Sequence, residues 1–170
     1  MTAPESALPL SIIPLTPAFA GVAALLHAGG FDDPWSEDDI IALLAVPGAF
    51  GLLAFDQGDD GADRPLGFVL IQAVMDEAEI NTLITAPFAR RRGVAQALLV
   101  AVTERLRDDG VNRLLLEVAE DNSAAIALYR ACGFEETGRR KEYYRRKTGR
   151  RVDALVMERK LGVCVLGWGD

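Results

Sequence analysis

The stretch from Glu79 to Val118 constrains this chain most, because its order of elements leaves few ways to fold. Glu79 to Thr85 reads as a strand. Arg90-Arg91-Arg92-Gly93-Val94-Ala95 follow as a turn. A helix then runs from Gly93 to about Asp109, with Val94, Leu98, Val102 and Leu106 recurring at helical spacing. Asp109-Gly110 ends it, and leucine-rich Arg113 to Val118 reads as a strand suited to burial on both faces. A strand, a crossover helix and a second strand imply a parallel pair with a right-handed connection.

The turn is also a chemical feature. A glycine-containing turn that opens a helix presents backbone N–H groups with no partner inside the helix. The helix dipole adds positive partial charge there, which favours phosphate. Three arginines strengthen the expectation, since guanidinium forks suit phosphate oxygens. No Gly-Lys-Ser/Thr follows, so this is not a Walker loop. The turn predicts a pyrophosphate ligand; the plainer reading is a solvated basic helix start.

The remaining elements build a sheet around that unit. Leu8 to Ile13 is a first strand, and Thr16 caps a helix to about His27, with Pro17 at its first position and Val22, Leu25 and Leu26 inward. Gly29-Gly30 stops it, and Phe31-Asp32-Asp33-Pro34-Trp35 forms a loop. Ser36 and Asp39 signal the cap of a second helix to about Ala45. Ala49 to Asp56 and Leu66 to Val74 form a hairpin. Asn122 or Ser123 starts a short helix to Ala131, closed by Gly133. Phe134 to about Lys141 and Asp153 to Leu161 form a final antiparallel pair. The expected class is α/β, a mixed and mostly antiparallel sheet with one parallel pair and about four helices. Residues 1–161 are expected to be one domain, with 162–170 as a tail.

At 170 residues the chain can bury a substantial core, and its net charge of -7 argues against nucleic-acid binding. Cys132 and Cys164 lack metal-site spacing, so no metal is expected, and Cys132 reads as a small packed residue. Pro4, Glu5, Pro9 and Pro14 stand where a signal peptide needs a basic start and an apolar run. No stretch is long enough to span a membrane, which leaves the cytoplasm as the expected compartment.

Arg90-x-x-Gly93-x-Ala95 resembles the Q/R-x-x-G-x-G/A signature of the GNAT acetyltransferases. The run from Leu116 through Glu117, Asn122 and Tyr129 is more specific, together with Gly133-Phe134, Tyr143-Tyr144 and Asp153 to Met157. This ordered set resembles the RimI group, the ribosomal-protein-alanine N-acetyltransferases. The resemblance implies a GNAT fold whose parallel pair splays, with acetyl-CoA as cosubstrate and a protein N-terminus, that of the eighteenth small-subunit ribosomal protein, as acceptor. It implies that backbone N–H groups of Arg91, Arg92, Gly93, Val94 and Ala95 hold the CoA pyrophosphate, with Arg90 beside them. It implies that Leu83, Ile84 and Thr85 offer backbone groups to the pantetheine arm and the thioester carbonyl.

By the same resemblance, Glu117 is the general base and Tyr129 the general acid toward the departing sulfur. From the residues alone, Glu117 equally suits a salt bridge and Tyr129 a packed helix position. Asn122 matches a CoA-arm contact and equally suits a helix cap. Phe31 and Pro34 on one loop, with Tyr143 and Tyr144 on a hairpin, would hold the acceptor. Trp35 reads as a core anchor and His27 as structural. Arg139 to Arg151 is rich in basic residues and reads as a solvated hairpin loop, with docking to RNA or an acidic partner the sharper alternative. Two departures stand out: Ala119 replaces an arginine common in relatives, and Val163, Val165, Leu166 and Trp168 extend past the usual end. Acetylation of other protein N-termini, of a lysine side chain or of a small amine, and a non-catalytic acyl-CoA sensor, are the other functional readings.

Overall fold

The computed structural model of the chain describes residues 10–162. The elements run β1 (Ser11–Pro14), α1 (Ala20–Ala28), α2 (Glu37–Leu44), β2 (Ala49–Gln57), β3 (Asp63–Val74) and β4 (Glu77–Thr85). They continue with α3 (Val94–Asp108), β5 (Arg113–Ala119), α4 (Ser123–Ala131), β6 (Glu135–Arg145) and β7 (Arg151–Lys160). The seven strands form one mixed sheet in the order β1-β2-β3-β4-β5-β7-β6. β4 and β5 pair parallel, whereas β1–β2, β5–β7 and β6–β7 pair antiparallel. The mixed α/β class and the parallel pair expected from the sequence are both present. The tail residues Val163, Val165, Leu166 and Trp168, with Cys164 and Leu8, lie outside the described residues.

The contacts group into two units: residues up to Leu70 with Thr82–Leu98, and Ile71–Asn81 with residues from Leu99 onward. In the first unit, Leu15, Ala20, Ala23, Ile40, Leu53, Phe68, Leu70 and Ile84 form a core. Trp35 packs against it, as expected of an anchor. Ser36 caps α2 with a full capping box: its hydroxyl accepts from the Asp39 N–H, and the Asp39 carboxylate accepts from the Ser36 N–H at 2.8 Å. α3 buries Val94, Leu98, Val102 and Leu106, the stripe read from the sequence.

Three local expectations are corrected. Thr16 makes no side-chain cap; Pro17–Phe19 forms a 3-10 turn instead, and α1 starts at Ala20. Leu25 is not inward but 78% exposed, because the buried side of α1 is Ala20, Ala23 and His27. β5 is not buried on both faces: Leu114, Leu116 and Val118 are buried, whereas Leu115 and Glu117 are only half-buried. Strand alternation gives β5 one open face, and that face carries the acid.

Candidate active site

In the second unit the β4–β5 ladder is short. Glu77, Ala78 and Glu79 pair with Arg113, Leu114 and Leu115, and the register ends there. β4 continues through Ile80 and Asn81, and β5 through Leu116 and Glu117, so the strands part within this unit. A cavity of about 410 Å³ lies along the pair, lined by Gln72, Glu77, Glu79, Leu115, Glu117 and Arg140 among others. Two parted strands leave backbone groups and a β5 side chain facing open space, which is what a ligand slot in a sheet requires.

Glu117 is 17% exposed at its side chain, and its Oε1 accepts from Arg140 Nε at 2.8 Å. Arg140 lies on β6, where the register with β7 shifts between Arg140 and Tyr144. Three residues of β6 there lie opposite one of β7, since Arg140 faces Ala154 and Tyr144 faces Val152. Glu142 takes a positive φ of 51°, and its N–H donates to Asp153 Oδ1 at 2.9 Å. Such a bulge re-aims neighbouring side chains. Tyr143 and Tyr144 meet edge to face at 5.1 Å, and the Arg140 guanidinium lies 5.2 Å from the Tyr143 ring. Burial, then the Glu117 charge, pushes the Tyr144 phenol up.

Tyr129 is buried on α4 and packs edge to face on Phe134 at 5.6 Å. Burial chiefly, then neighbouring Tyr144, pushes its phenol up to about 12. Desolvation makes this phenol hold its proton more tightly. Asn122 caps α4, its side-chain oxygen accepting from the Ala125 N–H at 3.2 Å. The cap reading of Asn122 is thereby realised.

In the first unit, Arg90 to Ala95 form the turn into α3. Arg91 and Gly93 take positive φ values of 61° and 76°. A Cβ at Gly93 would meet nothing within 4 Å, so the turn opens outward. Ala97 N–H donates to Gly93 O at 2.9 Å, which leaves the preceding N–H groups at the open start of the helix. This open cradle fits a pyrophosphate. Arg92 does not stand alone, since its Nη2 lies 2.8 Å from Asp56 Oδ2. On β4, Leu83 and Thr85 are half-buried, and Ile84 is buried. Phe31 is exposed and Trp35 half-buried, and both stack on His27. The Trp35 N–H donates to His27 Nδ1 at 3.0 Å, and burial lowers the imidazole pKa. His27 thus holds the loop carrying exposed Pro34, which is the structural role expected of it.

Residues 23–134 match the model of the acetyltransferase (GNAT) family. The chain belongs to the GNAT acetyltransferase family. Among its relatives, the ribosomal protein bS18-alanine N-acetyltransferase of Haemophilus influenzae is 37% identical over 119 residues, covering 66% of this chain and 81% of that protein. The crystal structure of the ribosomal-protein-S18-alanine N-acetyltransferase from Escherichia coli superposes with a TM-score of 0.83 at 28% identity. That alignment covers 95% of this chain and 100% of the other. Arabidopsis thaliana NAA60, crystallised in complex with acetyl-CoA, shares the fold with a TM-score of 0.78 at 20% identity, over 89% of this chain and 98% of that one.

This GNAT chain holds features that sequence reasoning missed. Asp56 was read only as the end of a strand, and Arg140 only as one of several bases. Asp56, a lone acid closing an apolar strand, was the available signal. The basic stretch is partly offset: Arg139 faces Glu120, Glu136 and Asp153 at 3.0–3.6 Å, and Arg146 pairs with Asp121. Cys132 is half-buried, and burial pushes its thiol up, as suits a packed residue. Among the described residues, no group of acids, histidines and cysteines is placed to hold a metal ion, and no helix is long and apolar enough to cross a membrane.

Proposed function

We propose that this GNAT protein transfers acetyl from acetyl-CoA to the N-terminal α-amine of a protein, the alanine of ribosomal protein bS18. The observation that carries the chemistry is Glu117, a half-buried carboxylate at the point where the β4–β5 ladder ends. The acceptor rests on the bS18-alanine N-acetyltransferases that this chain resembles.

Acetyl-CoA supplies an activated acyl group as a thioester. The turn from Arg90 to Ala95 holds the pyrophosphate through its backbone N–H groups, with Arg90 and Arg91 adding charge. Backbone groups of Leu83, Ile84 and Thr85 bind the donor arm and stabilise the negative oxygen that develops on attack. Glu117 takes the proton from the attacking amine at Oε2, while Arg140 orients the carboxylate through Oε1. The amine forms the new C–N bond directly, without an acetyl-enzyme, and the C–S bond breaks. Tyr129 then gives its hydroxyl proton to the departing sulfur. Phe31, Pro34, Tyr143 and Tyr144 hold the acceptor chain, and Asn122 caps α4, the helix that carries Tyr129. Residues 1–161 act as one catalytic domain, since the family match runs through both units. The proposed compartment is the cytoplasm, where ribosomal acceptors reside.

The acidic lining at Glu77 and Glu79 favours a second reading, a small cationic amine as acceptor. Parallel turnover assays separate the two, using a peptide copying the bS18 N-terminus, the same peptide with its α-amine blocked, and a polyamine. Acetylation of the open α-amine supports the proposal; turnover of only the polyamine or of lysine side chains refutes it.

A further inference from the structure

Asp56 is a buried carboxylate that the chemistry above does not use. Its side chain is fully enclosed, yet it is ionised and serves two guanidinium groups at once. Arg64 Nε reaches Oδ1 at 3.0 Å and Arg64 Nη2 reaches Oδ2 at 2.9 Å. That fork alone would neutralise the acid. Arg92 Nη2 nevertheless joins Oδ2 at 2.8 Å. The first of these partners, the Arg64 fork, outweighs the cost of burial, and the carboxyl is held down at about 2.

The geography gives the cluster its meaning. Arg92 lies inside the turn, one residue before the positive-φ Gly93 and one after the positive-φ Arg91. On the other side of the turn, Phe88 belongs to the 3-10 turn Pro87–Ala89 that leads into it. The Arg64 guanidinium lies over the Phe88 ring at 5.3 Å. Asp56 therefore grips the turn twice, directly through Arg92 and by way of Arg64 through Phe88. Two positive-φ residues flank the gripped position, and a non-glycine residue such as Arg91 holds that conformation only when its surroundings enforce it. One negative and two positive charges also leave the cluster net positive beside the cradle.

We infer that Asp56 is a positioning residue that fixes the Arg90–Ala95 turn for the donor's pyrophosphate, with the Arg92 side chain serving as its handle rather than as a phosphate ligand. The inference rests on the pyrophosphate reading of that turn and adds a division of labour within it. Arg90 and Arg91 offer charge to the ligand, while Arg92 is spent on the scaffold. Neither Asp56 nor Arg64 touches the donor.

The test compares two donors, acetyl-CoA and S-acetylpantetheine, which carries the same thioester arm without the pyrophosphate. For wild-type enzyme, kcat/KM for acetyl-CoA exceeds that for S-acetylpantetheine. In Asp56→Asn the ratio of the two shrinks about tenfold, mostly through KM for acetyl-CoA. Arg92→Gln shrinks the ratio equally, and the double variant does no worse than either single one. Equal falls for both donors would mark a merely structural role and overturn the inference, as would an unchanged ratio. Additive losses in the double variant overturn it too, because Arg92 would then act on phosphate independently of Asp56. A wild-type enzyme indifferent to the pyrophosphate overturns the cradle reading itself.

Discussion

Tyr129 shows how burial shapes a single group. Its phenol is pushed from 10 up to about 12, so the folded protein keeps the proton over a range where the unfolded chain releases it. The native state then binds more protons than the unfolded state between those values, and stability falls as pH rises through them. The loss amounts to about 2–3 kcal/mol once both limits are passed. Chemical denaturation of wild type and Tyr129→Phe at pH 8 and above pH 11 measures it: the variant should lack this part of the alkaline loss. Equal alkaline loss in both would contradict the assigned burial effect. Residue roles were unevenly legible in the sequence. Glu117 and Tyr129 came through the family resemblance, since an acid among leucines and a helix tyrosine each have ordinary explanations. Asp56 was not legible, because its meaning depends on Arg64 and Arg92, the latter 36 residues away.

Among the elements, close contact between β3 and β4 limits what β4, the strand proposed to bind the donor arm, can tolerate. A Cβ on Gly67 would run into the Ile84 carbonyl oxygen and come within 3.2 Å of the Thr85 Cα. Ala86 N–H also donates to Leu66 O at 2.7 Å, which fixes the end of β4 there. Gly67→Ala should therefore destabilise the protein by about 1–3 kcal/mol in urea unfolding. It should also weaken donor binding, because Ile84 and Thr85 must shift. At α2, Ser36→Ala should cost about 1 kcal/mol through loss of the capping box, with CoA affinity retained. That cap was readable as Ser36 followed by Asp39. The 3.6-residue stripe of α3 was readable for the same reason, since local spacing alone decides it. The open face of β5 was not, because leucine at 115 is compatible with burial, and what covers each face of a strand is set by elements distant in the sequence.

For the whole molecule, the order of elements from Glu79 to Val118 already implied the parallel pair, and the remaining alternating runs implied its antiparallel neighbours. What stayed hidden was how far the pair stays together, since hydrogen-bond register is a property of two strands rather than of either sequence. Register places Glu117 two residues beyond Leu115, the last β5 position paired with β4. In the proposed reaction this carboxylate removes the acceptor's proton. Steady-state turnover of Glu117→Gln with acetyl-CoA and the bS18 N-terminal peptide, alongside direct titration with CoA, tests it. The expected result is a fall in kcat of roughly 100- to 10,000-fold with CoA affinity retained; turnover at the wild-type rate would remove Glu117 from its role as base.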